Sequence, residues 1–450
     1  MPVDVGVIGG GPAGSAAARL LASWGHRVRL VTRPPDRSRA LAESLPPSTH
    51  KLLDEIGVLD AIARAAFYRS TGNTVYWASS EPRVESFDGF GFQVFRPDLD
   101  RIMLDAARAA GVEVQISDSR LQTLDVPLVL DCSGRAGVIG RRYRVPQPEH
   151  RTVAHVGVWR RADSWSIPDQ THTVVETFDE GWAWSVPTAP DTRHVGVMVE
   201  RGAAYDDTLR STRMMRALVA GAERQHTFAC DASLYRSERY AADGFFLVGD
   251  AGSFIDPLSS FGVKKALASA WMAAIAAHTC LIDSSRAGVA RAFFDGWERR
   301  VYDDHLRRSR DFARAAVDAH PHPFWIARAN VGVDDRAAPD DTAVRVAFER
   351  IRQADDIEFA IDDAVRFEPQ PVIRGNEIVL EAGVTAGTSG ETLRFADNVD
   401  LVALANVACA HRRVPDVYDA YCRAHAPAPL PNVVSGLSIL VAKGILHART

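Results

Sequence analysis

Cysteine is scarce in this 450-residue chain: Cys132, Cys230, Cys280, Cys409 and Cys422 lie far apart, with no C-x-x-C pair among them. An odd, scattered set excludes a disulfide framework and a cysteine zinc site, and it fits a reducing, cytoplasmic setting. A surplus of basic charge is missing too. Lys and Arg number 52 against 57 Asp and Glu, a formal net charge of −5, so nothing marks a nucleic-acid or acidic-membrane partner. No basic and apolar leader precedes the first apolar strand at Val3, so no secretory signal is expected. The longest apolar helical stretch, Ala266 to Ala277, reads as too short to cross a bilayer. His320 and His322 are too isolated to suggest a metal. The remaining composition, 46% hydrophobic and 24% charged, is that of an ordinary globular protein of roughly two or three domains.

The richest stretch is VDVGVIGGGPAGSAAARLLASWGHRVRLVTR, a strand, glycine turn, helix and second strand starting at Val3. Gly9, Gly11 and Gly14 have the G-x-G-x-x-G spacing of a dinucleotide site: a tight turn, a close approach for the pyrophosphate, and room for the helix to pack on the sheet. Pro12 and Ala13 belong to the same turn. The helix N-terminus adds free N–H groups and the positive end of its dipole. The acid that usually ends the second strand is absent; Thr32 and Arg33 stand there instead. Both are placed on the ribose side. Thr32 offers only a single uncharged contact, so Thr32→Glu is expected to raise adenosine-side affinity.

A second cofactor segment is FFLVGDAGSFIDPLSSFGVKKALASAW. The apolar strand Phe245 to Val248 leads into Gly249 and Asp250, then a loop through Pro257, Ser260 and Phe261, then a helix opening at Gly262 and Val263. Asp250 at a strand end suits a ribitol hydroxyl, and the helix N-terminus suits the electron-rich pyrimidine end of a flavin.

Together these segments resemble the flavoprotein aromatic monooxygenases and flavin-dependent halogenases. Further stretches carry the likeness: AESLPPSTHKLLDEIGV around Glu43, FQVFRPDLDRIMLDAARAAGV around Arg96, and LVLDCSGRAGVIGRR around Asp131. The resemblance implies FAD as cofactor, Arg96 on the cofactor side, and Asp131 and Gly134 near the adenosine. It also implies an FAD domain trimmed between Val112 and Leu128. The implied fold is α/β: a Rossmann-like FAD-binding fold with an antiparallel β-sheet substrate domain and a small C-terminal winged-helix-like α+β domain. The expected boundaries are 1–150 with 230–320 for the FAD part, 151–229 for the substrate sheet and 340–450 for the C-terminal domain.

The resemblance leaves open which reaction follows, since both groups use a flavin C4a-hydroperoxide. GWAWSVP, with Trp182, Trp184 and Pro187, closely resembles the W-x-W-x-I-P element of halogenases and lies in a region of strand character. In FYRSTGNTVYW, however, Ser70 stands after Arg69 where the halogenase pattern has its relay lysine. That absence favours hydroxylation. The catalytic candidates are Trp182 and Trp184 as shields, and Lys264, Lys265 or Asp256 for proton movement. Phe67, Tyr68, Trp77, Phe90, Phe92 and Phe95 are candidates for pocket walls or for core.

The segments HPHPF and DDRAAPDDTA read as a linker. Beyond it come a strand PVIRGNEIVLEAGV, a glycine-rich turn, a strand ETLRFA and three helices, an order resembling the peptide-binding winged helices of ribosomal-peptide modification enzymes. Such a unit would take a leader peptide as an added strand. The expected function is therefore an FAD-dependent monooxygenase hydroxylating a peptide or protein tryptophan, similar to the peptidyl-tryptophan hydroxylases of quinohemoprotein amine dehydrogenase maturation. A small-molecule aromatic hydroxylase or halogenase, and a non-catalytic peptide-binding flavoprotein, stay open. No second dinucleotide fingerprint is present, so electrons would come from visiting NAD(P)H or a separate flavin reductase, with molecular oxygen as co-substrate.

Overall fold

The computed structural model describes residues 2–38, 40–117, 124–259, 261–333, 341–386 and 392–449. Ser260, the acidic linker 334–340 and the glycine-rich turn 387–391 lie outside the described residues. The chain divides into two compact units, Met1–Val333 and Asp334–Thr450.

In the first unit, Val5–Ile8 is buried along its whole length. A short apolar run of this kind suits a strand covered on both faces. It pairs in parallel with Val28–Thr32 on one side and Leu128–Asp131 on the other. Glu113–Ile116 and Phe245–Leu247 extend the parallel sheet, and Ala241–Ala242 closes one edge antiparallel. The helix Pro12–Ser23 packs on the helix Gly262–Ile282, both rich in buried alanine. The second helix corrects an expectation. It runs 21 residues rather than twelve, long and apolar enough by composition to cross a membrane. Its buried face and its place against the glycine-turn helix are those of a core helix.

The second sheet has eight strands in the order Glu223–Asp231, Thr152–Arg160, Thr192–Glu200, Gly181–Ala189, Thr173–Phe178, Tyr68–Tyr76, Arg83–Phe95 and Ala42–Leu45. Every ladder is antiparallel except the parallel one between Tyr68–Tyr76 and Thr173–Phe178. The substrate sheet is thus not confined to 151–229. Three of its strands, Ala42–Leu45, Tyr68–Tyr76 and Arg83–Phe95, come from the chain before Arg96 and pair with one another as well as with the later strands.

The second unit has a core including Leu404, Val417, Tyr421 and Leu437 under the helices Leu401–Ala408, Val414–Ala424 and Leu430–Ala442. The segment expected as one strand from Pro371 is a hairpin: Arg366–Arg374 pairs with Glu377–Thr385. Gly375, at φ +59, makes the reversal that the strand reading overlooked. The last helix stops at Ala442, and Leu446–Arg449 returns as a strand beside Glu358–Ile361. An amphipathic helix, Asp341–Gln353, precedes them and was not anticipated.

Candidate active site

The glycine turn is fixed by space. A Cβ on Gly14 would stand 1.8 Å from the Gly9 carbonyl oxygen, and one on Gly9, at φ +105, would stand 2.4 Å from that of Cys132. At Gly11 the nearest atom to an added Cβ is Arg96 Nη2, 3.9 Å away, so the turn opens toward a cavity. Gly11 caps the helix with its backbone alone, and no acid occupies the first helical turn. The arrangement suits a pyrophosphate.

That cavity, about 830 Å³, runs from Gly9, Gly11, Pro12 and Ala13 to the floor of the eight-stranded sheet. Thr32 and Arg33 line it, but Thr32 does not serve as expected. Its Oγ1 accepts the Gly10 N–H at 3.0 Å, so it braces the turn. The carboxylate that sequence reasoning missed is Asp36, also on the wall, which accepts hydrogen bonds from the Ser38 N–H and hydroxyl. It sits in a proline-rich loop after the strand, where the usual motif offers no signal.

Arg96 lines the cavity beside Glu43, 3.2 Å away, and also holds Asp100 at 3.3 Å. Burial pushes the Glu43 carboxyl up while the Arg96 charge pulls it back. Asp131 departs from its expected role. Its carboxylate accepts from the N–H groups of Ser133, Ile139 and Gly140 and from the Ser133 hydroxyl. It shapes the turn, and the cavity wall is made by Cys132, Ser133, Gly134 and Arg135 instead.

At the second motif, Asp250, Pro257, Gly262 and Val263 line the cavity, whereas Gly249 and Phe261 do not. Gly249 is tied by its N–H to Ser269 Oγ at 2.8 Å. Phe261 packs edge-on to His305, 5.3 Å between ring centroids.

Lys265 is 3% exposed and is absent from the cavity wall. Its ammonium donates to the Gly249 oxygen at 3.0 Å and to the Ser253 oxygen, and lies 3.8 Å from Asp250 Oδ1. It is a brace for the turn that carries Asp250. Lys264 donates to Ser48 Oγ at 3.0 Å and stands over the Phe261 ring, again off the wall. Asp256 accepts the Leu258 N–H at 3.0 Å as a cap of its loop; burial raises its pKa, and it too is off the wall. None of these three is among the residues that line the cavity.

The tryptophans do reach the cavity. Trp182, Met198, Ala154 and Cys230 are cross-strand partners in one row over four strands, and all four line it. Trp184 lies in the next row, opposite Gly196, with its ring 5.1 Å from that of Trp182. Phe254 and Leu258 pack against the same cluster. Ser70 is fully buried off the wall, its hydroxyl directed to the Gly72 oxygen. The aromatics between Phe67 and Phe95 do not line the cavity; Trp77, for one, packs edge-on to Trp325.

Sequence comparison decides the family. An FAD binding domain matches residues 2–125, and the tryptophan halogenase family matches residues 110–347, more than half of the chain. This chain belongs to the tryptophan halogenase family. FAD is its cofactor, and the glycine turn, the open face at Gly11 and the wall at Asp250 fit it. The tryptophan 2-halogenase of Chondromyces crocatus is 31% identical over 67% of the chain and 65% of its own length. The chain thus spans just under two thirds of that relative. The fold of the flavin-dependent halogenase CmlS matches with TM-score 0.80 and 21% identity, over 99% of this chain and 96% of that one. The peptidyl tryptophan dihydroxylase QhpG matches with TM-score 0.68 and 22% identity, over 99% of this chain and all of that one. The expected tie to tryptophylquinone biogenesis is therefore a likeness of fold, while the kinship in sequence is with halogenases.

Proposed function

We propose that this family member is an FAD-dependent oxidoreductase that halogenates an electron-rich aromatic ring lying on the Trp182–Trp184 floor. The observation that carries this reading is the continuous cavity joining the glycine turn to that floor, within a chain whose sequence kinship is with a tryptophan halogenase. FAD, when bound and reduced, supplies the electrons that turn molecular oxygen into an oxidant. The residues bind and exclude. The turn at Gly9–Gly14 and the bare helix N-terminus would hold the pyrophosphate; Arg96, fixed between Glu43 and Asp100, keeps one cation on the wall. Trp182, Trp184 and Met198 present apolar surface that keeps water from the oxidant. The balance is aryl–H, halide, a proton, oxygen and reduced flavin giving aryl–halide, oxidised flavin and two waters. A separate flavin reductase would supply the electrons.

A second reading, aromatic hydroxylation, is favoured by Ser70 and by the absence of lysine among the described residues of the cavity wall. In that case one oxygen atom goes to the ring and the other to water. Peptide delivery would be an addition to either reading. The test is mass spectrometry of an aromatic substrate incubated with protein, regenerated reduced FAD and oxygen, with and without bromide. A bromide-dependent gain of bromine supports halogenation; a halide-independent gain of one oxygen replaces it with hydroxylation.

A further inference from the structure

The cavity divides by charge. Its described acids and bases are Asp36, Glu43, Asp231 and Asp250 against Arg33, Arg96 and Arg135. Glu43 is held by Arg96, which stands beside Gly11 at the glycine turn. Asp250 faces Lys265, and Arg33 and Asp36 follow the strand that ends at Thr32. Asp231, next in the chain to Cys230, is bound to Arg135 at 3.3 Å and to Arg201 at 2.8 Å. Against the cost of its burial, the Ser233 hydrogen bonds and these two arginines hold its pKa at about 2. The floor itself carries no charge among the described residues. Among the described residues it is Trp182, Trp184, Met198, Val175, Val186 and Ala154, with Thr173, Cys230 and the two indole N–H groups as its uncharged polar groups. Thr173 Oγ1 already accepts from Gln93 Nε2 at 3.1 Å. Phe254 and Leu258, which pack on the same cluster, are apolar as well; the guanidinium of Arg135, already bound to Asp231, stacks on the Phe254 ring 4.1 Å from its centroid.

We infer that the substrate reaches this floor as an uncharged aromatic ring, and that free tryptophan is disfavoured; the inference rests on the proposed aromatic oxidation. An amino-acid zwitterion brings an ammonium and a carboxylate, and each needs a partner when water is removed. The acids and bases that would pair with them are either paired already or belong to the nucleotide end. A neutral ring needs only flat apolar contact, which Trp182 and Trp184 provide. Two sources share that chemistry: a small free heteroaromatic, and a ring borne on a larger molecule through neutral bonds.

The test uses the FAD-loaded full chain and calorimetric titration with indole, N-acetyl-L-tryptophanamide and L-tryptophan. Either neutral probe is expected to bind at least about tenfold more tightly than L-tryptophan, the loss that follows from hydrogen bonds to charged groups left unmade. Preference for indole identifies the free ring, and preference for the amide identifies the borne ring. L-tryptophan binding as tightly as both overturns the inference and leaves the proposed reaction standing. If none of the three binds, the aromatic reading falls and takes the inference with it.

Discussion

The indole of Trp184 lies across the backbone of Gly196: a methyl group on that glycine would stand 2.2 Å from Trp184 Cζ2. Gly196→Ala must therefore displace the ring or the strand beneath it. Overpacking of this kind costs about 1–3 kcal/mol. The expected result is a lower Tm and weaker binding of the aromatic substrate, with the FAD dissociation constant unchanged. Aromatic affinity that survives the change would show that the substrate does not use the Trp184 face.

Thr32 gives a prediction opposite to the one its position invites. Because its hydroxyl accepts the Gly10 N–H, Thr32→Val removes about 1 kcal/mol of hydrogen bonding and should raise the FAD dissociation constant about fivefold. Thr32→Ser should stay near wild type. Thr32→Glu should weaken FAD as well, and tighter binding would return the ribose to the strand end. Fluorescence titration of apoprotein with FAD reads all three.

Lys265→Met separates a brace from a catalyst. The change leaves the Gly249 and Ser253 carbonyls without their donor inside the protein, a cost of about 1–3 kcal/mol. Stability and FAD affinity should both fall, since the same turn carries Asp250. At saturating FAD, kcat should hold. A collapse of kcat in fully loaded enzyme would restore the catalytic role.

Beneath that turn, Glu298 is fully buried, accepts the Ser269 hydroxyl, and is pushed by burial to about 7 despite the nearby Lys265 charge. Asp250 and Asp295 push it the same way. A raised carboxyl pKa means that the folded state holds the proton longer than the unfolded chain, whose value is near 4.5. Its stabilising contribution is complete below that pH and is lost as pH rises through about 7. Wild type should therefore lose stability relative to Glu298→Gln across this window, by up to about 1.4 kcal/mol per pH unit. Denaturant titrations of both proteins at several pH values measure it, and parallel curves would mean that Glu298 titrates normally.

Local chemistry was the legible part of the sequence. The strands and helices around Gly9–Gly14 and Gly249–Gly262 follow from apolar runs meeting glycine, and the Trp182–Trp184 strand from its alternation. What the sequence hid depends on partners far along the chain. Asp131 looked like a ligand until Ile139 and Gly140 turned their N–H groups onto it, and Lys265 looked like a proton carrier until Gly249 and Ser253 enclosed it. Asp36 lacked any motif. The hairpin at Gly375 was masked by apolar residues on both sides of its turn.

The ladder between Tyr68–Tyr76 and Thr173–Phe178 is the single seam joining the two halves of the eight-stranded sheet. Its partners are far apart in the chain, so the loop between them must close before any of its bonds form. The tryptophan floor is consequently one side of a joint that forms only once two distant parts of the chain have met, and its central, buried strands should exchange their amide hydrogens after the exposed edge strand Glu223–Asp231.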